Sequence, residues 1–310
     1  MTQILIEALK TKIKNILLIL NILASLAIIG SCFSQFIPPD KWWTPSLLGL
    51  GYPYLLIINL CFIVLWLILK PAYITLSFVS ILFGFGMLVR FIQIGGKEHK
   101  DSDIRLVSYN VKNFTGLGNN SAKALAEVIK GFLKQEEPDI ICLQEVRLHS
   151  NKVFNLEETR REFSKIKHYQ YASVGSSLGS VTMTRFPIVK MEEIRFENSG
   201  NIAICTDIVC NKQTIRVFNV HLQSYKIDPD RYGIIESRMI SEKKDLRELK
   251  DLFDKYKKAM EMRAMQARMI REKIDESPYP VIVCGDFNDT PASYAYRKAK
   301  GKLRDAFVKS

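Results

Sequence analysis

The sequence predicts an α/β domain preceded by three transmembrane helices, and three observations carry that expectation. Charge is divided unevenly: residues 1–94 hold six basic residues (Lys10, Lys12, Lys14, Lys41, Lys70, Arg90) and only two acidic ones, Glu7 and Asp40. Within that first third lie three uncharged runs. Each is near the roughly 20 residues that a helix needs to cross a bilayer. After residue 103, short apolar runs alternate with a stretch of helical periodicity, and several runs are apolar at consecutive positions. That pattern belongs to strands covered on both faces.

The chain has 310 residues, 47% of them hydrophobic and 25% charged. This length admits two domains, and the composition excludes wholesale disorder, collagen-like repeats and a continuous coiled coil. Lys and Arg number 44 against 32 Asp and Glu, for a net charge of +12. A basic balance favours polyanionic partners in general. Here, however, the basic residues concentrate in Arg238–Lys273, interleaved with Glu and Asp, which is the pattern of a solvated helix face.

The first uncharged run covers Ile16–Phe33, the second Trp42–Leu69 and the third Pro71–Val89. Residues 1–95 therefore read as a membrane anchor. No small-x-small cleavage site follows the first run, and two more runs come after it, so it is not a cleaved signal peptide. Trp42, Trp43 and Tyr52 sit where an interfacial aromatic belt would lie. Lys10, Lys12 and Lys14 precede the first span and predict a cytoplasmic N-terminus. Three crossings then place the rest of the chain on the outer, periplasmic face of a multi-pass cell-membrane protein. Six cysteines are present, none in a CxxC pair or a metal-ligand spacing, and they read as core thiols.

In the second segment, 103–310, Ile104–Tyr109 predicts a strand. Ser121–Leu133 predicts a helix capped by Ser121, with apolar residues at i, i+3, i+4 spacing. Pro138 introduces a strand in DIICLQEV. Ser180–Met183 and Ile188–Val189 flank the turn TRFP. Ile202–Val209 and Thr214–Val220 predict a hairpin turning at Asn211–Lys212. Ile234–Ile274 contains no Gly or Pro and predicts a long helix, and Val281–Cys284 predicts a final buried strand.

Four of these strands end in polar residues able to do chemistry: Asn110, Glu145, His221, and the pair Asp286 and Asn288. Taken singly, each is an ordinary turn residue, solvated end or satisfied core imidazole. Taken together, they place carboxylates, amides and an imidazole on one rim of a sheet. Carboxylate oxygens such as those of Glu145 and Asp286 suit Mg²⁺ or Mn²⁺.

The order YNV, PDIICLQEV, GSVTMTRFPIV, FNVHLQS and PVIVCGDFNDTP resembles the endonuclease/exonuclease/phosphatase superfamily, whose members include DNase I, abasic-site endonucleases, inositol polyphosphate phosphatases and neutral sphingomyelinases. The resemblance runs from about Asp103 to Ser310 and extends to a membrane-anchored bacterial subset. It implies a four-layer α/β sandwich and metal-dependent hydrolysis of phosphate esters. It also implies roles: Glu145 as metal-binding carboxylate, Asn110 as a residue holding metal and phosphate, and Asp286 as the group that orients or deprotonates the attacking water. Asn288 and His221 are implied as phosphate contacts, and Arg185 as a brace for the loop before Pro187.

One departure stands out. The family closes with an Asp-bearing strand and a Ser-Asp-His triplet, whereas after GDFND this sequence has only Asp305, a position of structural character. The resemblance therefore implies a domain lacking its C-terminal part and, for this chain alone, inactivity. Two functions follow. One is a membrane-anchored phosphoesterase acting on nucleic acid or a phospholipid headgroup at the lipid bilayer, with no obligate protein partner evident. The other is a non-catalytic binding or scaffolding module that keeps the fold.

Overall fold

A computed structural model describes residues 2–93, 104–115, 122–148, 163–225 and 244–309. The chain divides into two compact units. One comprises Met1–Lys97, Tyr256–Ala264 and Asp289–Ser310, and the other Glu98–Lys255 and Met265–Asn288.

The first unit is built on apolar helices. Helix α1 (Thr2–Ser34) is followed by α2 (Thr44–Leu50), α3 (Tyr52–Leu69), α4 (Ile74–Phe83) and α5 (Phe85–Leu88). Among the described residues, two helices are long and apolar enough to cross a membrane, Gln3–Ser34 and Tyr52–Leu69. The expected third span is corrected: the third run forms no single helix of crossing length, because α4 stops at Phe83 and Gly84 separates it from α5. Glycine weakens a helix by about 1 kcal/mol relative to alanine. Here it also allows a close approach, since a Cβ at Gly84 would lie 3.0 Å from Cys32 Sγ. The second run is likewise interrupted, at Gly51, with Pro53 in the first turn of α3.

A buried polar network joins three of these helices. Asn21 of α1 donates to Ser77 Oγ of α4 at 2.6 Å and accepts from Trp66 Nε1 of α3 at 2.9 Å. Asn59 of α3 accepts from Ser25 at 3.2 Å and from Ser77 at 2.9 Å. Its own amide donates to the carbonyls of Ala24 and Leu55. Near its other end α3 places Tyr52 against Phe91, ring centroids 5.1 Å apart. Arg90, just past α5, donates to Gln35 Oε1 at 2.9 Å, one residue beyond the end of α1.

The chain after residue 288 belongs to this unit. Helix α8 (Tyr294–Lys300) is capped by Ser293, whose Oγ accepts from the Tyr296 N–H at 3.1 Å. A last short turn of helix, α9, spans Ala306–Lys309. Ala292 is fully buried in an apolar cluster with Ile28, Cys32, Tyr52, Leu56 and Met87. Ser34 donates to the Ala292 carbonyl at 3.3 Å, and the Arg297 guanidinium lies 4.0 Å from the centroid of the Phe36 ring. Asp305 has the structural role expected of it, accepting from the Tyr296 hydroxyl and from the backbone N–H of Phe307. The fully buried Arg263 pairs with Asp289 at 3.0 Å.

The described residues of the second unit form two four-stranded sheets. Strands β1 (Leu106–Asn110), β2 (Ile140–Val146), β3 (His168–Ala172) and β4 (Gly179–Thr184) form one, in the order β1-β2-β4-β3. Strands β5 (Ile188–Arg195), β6 (Ile202–Cys210), β7 (Gln213–His221) and β8 (Val281–Asp286) form the other, in sequence order. Each sheet has one parallel pair, β1 with β2 and β7 with β8. The sheets face each other across Ile140 and Cys142 of the first and Ile208 and Val217 of the second.

Helix α6 (Ala122–Glu136) covers the other face of the first sheet with Ala126, Ile129 and Leu133, against Ile141, Leu143 and Met183. The cap expected at Ser121 lies outside the described residues. The long helix α7 spans Lys244–Asp275, and its C-terminal turns reach the second sheet. Lys273 pairs with Glu192 of β5 at 2.9 Å, and Gln266 accepts from the Gln223 N–H at 2.8 Å. The expected hairpin turn is present, with Asn211 and Lys212 both at positive φ. Arg185 braces its loop as anticipated, pairing with Asp139 at 2.8 Å. All six cysteines are free, and Cys61 alone among them is exposed. Strand β3, which the sequence does not announce, is a finding of the structure.

Candidate active site

Parallel pairing brings the polar strand ends together two by two. In β1 and β2, Asn110 registers with Gln144; in β7 and β8, His221 registers with Asp286. Parallel neighbours end on the same side, so both pairs open onto one rim of the facing sheets.

A β-bulge completes the arrangement on β2. Ile141 and Leu143 face α6, while Ile140 and Cys142 face the opposite sheet. Strict alternation would turn Val146 toward the opposite sheet, yet Val146 lies in the cluster beneath α6. The change of phase is a register shift between Gln144 and Val146, with Glu145 at φ +54°. A bulged residue is released from the pleat and its side chain is re-aimed. That residue is Glu145.

On β8 the corresponding device is Gly285, at φ +130°, where an added Cβ would overlap the carbonyl oxygen of Val220. Only glycine allows β8 to approach β7 so closely there. Asp286 follows, its Oδ1 accepting from the Asn288 N–H at 2.8 Å, with Asn288 itself at φ +51°.

The carboxylates meet across Asn110. Its Nδ2 donates to Glu145 Oε1 at 2.9 Å and to Asp286 Oδ2 at 2.8 Å, while its oxygen accepts from the Lys112 N–H. His221 Nε2 stands 3.5 Å from Glu145 Oε1 and, among the described residues, makes no hydrogen bond although buried. Burial pushes the His221 pKa down, against the opposing pull of Glu145 and Asp286, and so favours the neutral imidazole. One potential ligand atom each from Glu145, His221 and Asp286 lies within 4.8 Å of the others. Of the residues singled out from the sequence, Asn110, Glu145, His221 and Asp286 therefore share one cluster. Asn288 stands at its edge, with its side-chain amide donating to the Leu222 carbonyl at 2.9 Å.

Sequence reasoning missed what lies beneath. Gln144 Nε2 donates to Asn219 Oδ1 at 2.7 Å and to Ser108 Oγ at 3.2 Å. Asn219 Nδ2 donates to the carbonyls of Val181 and Leu143. The signal was a polar residue inside each of two apolar strands, LQE and FNVH, where burial demands a partner.

Residues 14–91 match a domain of unknown function, DUF8431. A comparison with curated proteins finds no match. Among solved structures, truncated TDP2 from Caenorhabditis elegans is 18% identical, with 60% of this chain and 62% of that one covered and a TM-score of 0.40. TDP2 from D. rerio, complexed with a single-strand DNA product, is 19% identical over 67% of this chain and 64% of that one, at 0.40. An endonuclease/exonuclease/phosphatase family protein from Bacteroides thetaiotaomicron is 18% identical over 64% and 67%, at 0.41. The chain thus spans about two thirds of the length of these proteins. Residues 107–308, well over half of the chain, match the endonuclease/exonuclease/phosphatase family, and the chain belongs to that family.

Proposed function

We propose that the protein is a membrane-anchored, divalent-metal-dependent phosphoesterase, an anchor of residues 1–95 carrying a hydrolase domain of residues 103–310. Its substrate is a phosphodiester or phosphomonoester, in nucleic acid or a phospholipid headgroup. The observation that carries this reading is the convergence of Glu145, His221 and Asp286, three groups from three strands, within 4.8 Å.

The donor set suits Mg²⁺ or Mn²⁺. Two carboxylates offer hard oxygens, and such ions take only one or two from protein, leaving positions for water and phosphate. Among the described residues the buried Nε2 of His221 makes no hydrogen bond, which marks a place prepared for a further atom. Glu145 and Asp286 would hold the ion. Asn110 would hold both carboxylates through its amide, with its oxygen as the further ligand implied by the family resemblance. When bound, the ion supplies positive charge to a phosphoryl oxygen.

The chain's own residues do the rest. Asp286 orients the attacking water and takes its proton. His221, favoured in its neutral form, hydrogen-bonds a phosphate oxygen. Asn288 has a second N–H beyond the one given to Leu222, a donor that would serve developing charge on the phosphate.

Orientation rests on the first unit. Lys10, Lys12 and Lys14 precede α1 and favour a cytoplasmic N-terminus. The bond from Arg90 to Gln35 brings the end of the third run back to the far end of α1. The third run thus returns the chain to the side opposite the three lysines even though its helix is broken. That geometry supports a multi-pass protein with its domain on the outer, periplasmic face.

The test is hydrolysis of bis-p-nitrophenyl phosphate by the purified full chain in neutral detergent. Turnover that requires Mg²⁺ or Mn²⁺ and is lost in Glu145→Gln supports the reading. Turnover unaffected by Glu145→Gln overturns it, and so does a chain that neither binds Mn²⁺ nor turns over this substrate or any of a panel of nucleic acids and phospholipids.

A further inference from the structure

The segment after Asp289 carries five basic residues in eight positions, Arg297, Lys298, Lys300, Lys302 and Arg304, with no acidic residue among them. The hydrolytic site does not use this run. Its place within the first unit is fixed by several contacts. Ala292 is buried among α1, α3 and α5 residues, and its carbonyl accepts from Ser34, the last residue of α1. Arg90 donates to Gln35 and to the Pro291 carbonyl, and its guanidinium lies 5.8 Å from the centroid of the Tyr296 ring. Arg297 lies over Phe36, two residues past α1.

The level of that contact along α1 follows from helix geometry. From Lys14 to Ser34 are 20 residues, about 30 Å of helix, the thickness of a hydrocarbon core. With Lys14 at one interface, Ser34, Gln35 and Phe36 lie at the other. The residues there agree: Phe36 and Trp42 are exposed, Trp42 by 60%, and exposed Lys41 stands beside Trp42. Exposed aromatic residues next to a lysine at the end of an apolar helix mark headgroup depth. Arg297, Lys302 and Arg304 are exposed in the same unit. The acidic residue nearest in sequence, Asp305, already accepts from Tyr296 and from backbone N–H groups.

We propose that this segment is an anionic-phospholipid contact: the guanidinium and ammonium groups of 297–304 bind the phosphates of lipids such as phosphatidylglycerol in the leaflet at the far end of α1. The inference rests on the membrane-anchor part of the proposed function and deepens it by assigning the lipid chemistry and the residues. A Lys or Arg at an anionic surface strengthens binding roughly fivefold. Two such residues give on the order of 25-fold.

The test uses the full chain reconstituted in mixed phosphatidylglycerol and phosphatidylcholine vesicles, extracted in neutral detergent and examined by native mass spectrometry for retained lipid. Phosphatidylglycerol should be retained over phosphatidylcholine by tenfold or more. The double variant Lys302→Glu with Arg304→Glu, which leaves Arg297 on Phe36, should lose that preference. A charge-matched control on exposed α7 residues, Lys255→Glu with Lys258→Glu, should keep it. Equal retention of the two lipids overturns the proposal, as does a preference that survives the 302/304 change. So does displacement of the lipid by millimolar inorganic phosphate, which would mark a simple anion site. Alkaline carbonate extraction separates the two readings. Release of the chain from membranes sinks the anchor itself, whereas a retained chain without lipid preference sinks only this proposal.

Discussion

Gln144 and Asn219 bond side chain to side chain at 2.7 Å across the interface of the two sheets. Each stands next to the site: Gln144 precedes Glu145, and Asn219 lies two residues before His221. The pair therefore sets the spacing between a carboxylate on one sheet and an imidazole on the other. Asn219→Ala would leave Gln144 and the carbonyls of Leu143 and Val181 without this donor and acceptor. A buried polar group left unpaired costs about 1–3 kcal/mol, so the variant should lose about 2–4 kcal/mol of stability. Asn219→Asp keeps the acceptor for Gln144 but loses both donors, and it should not recover the wild-type melting temperature. Thermal unfolding of the purified variants measures both.

Gly285→Ala should be worse than its small volume suggests. The new methyl meets the Val220 backbone, which cannot rotate away, and alanine is strained at φ +130°. Strain of this kind costs on the order of 1–3 kcal/mol before the clash is counted. We expect a melting temperature several degrees lower and weaker Mn²⁺ binding, because Asp286 is the next residue.

Metal affinity should rank the cluster. Glu145→Gln removes one of the two hard oxygen donors and should reduce Mn²⁺ binding below detection by calorimetry. Asn110→Ala removes the amide that holds both carboxylates, a loss that typically weakens a metal site 10–100-fold. If the two variants bind as wild type does, the cluster is not a metal site.

The Lys273–Glu192 pair joins α7 to β5. Hydrogen bonding to Lys273 lowers the Glu192 pKa from its ordinary 4.5, and Glu192 raises that of Lys273 from 10.5. The Glu192 contribution is present above 4.5 and lost as pH falls through the lowered value. The Lys273 contribution is present below 10.5 and lost as pH rises through the raised one. Both groups are partly exposed, so the pair is worth about 0.5 kcal/mol. The stability difference between wild type and Lys273→Met should be level from pH 5 to pH 10 and shrink outside that window.

How much of this was readable in the sequence depended on how local its cause was. Strands such as 140–146 and 202–210 announce themselves as apolar runs, and the polar residues that end them stand out by contrast. Their convergence follows from parallel pairing, which a family resemblance could suggest but a single strand could not. Strand β3 was invisible because HYQYA has no apolar run and owes its burial to β4 and to the bond from Gln170 to Glu192 on the facing sheet. The bulge at Glu145 shows only as a change of phase between Leu143 and Val146, which needs knowledge of which face each residue meets. The broken third run is the converse case. Hydropathy predicts one span, but Gly84 ends the helix where the chain must pass close to Cys32.

The network of Asn21, Ser25, Asn59, Trp66 and Ser77 has a consequence for how the anchor is made. Its bonds close only when α1, α3 and α4 are all present, since Asn21 needs partners from both other helices and Asn59 accepts from α1 and α4 alike. During synthesis these helices emerge in order. In the anchor proposed above, a nascent chain that has released α1 and α3 but not α4 would hold polar side chains in lipid with part of their bonding unmet. Such a half-made anchor would differ chemically from a finished one, by open hydrogen-bonding groups, and the arrival of the ten-residue α4 would erase that difference. The shortest of the three helices is thus the one that completes the assembly.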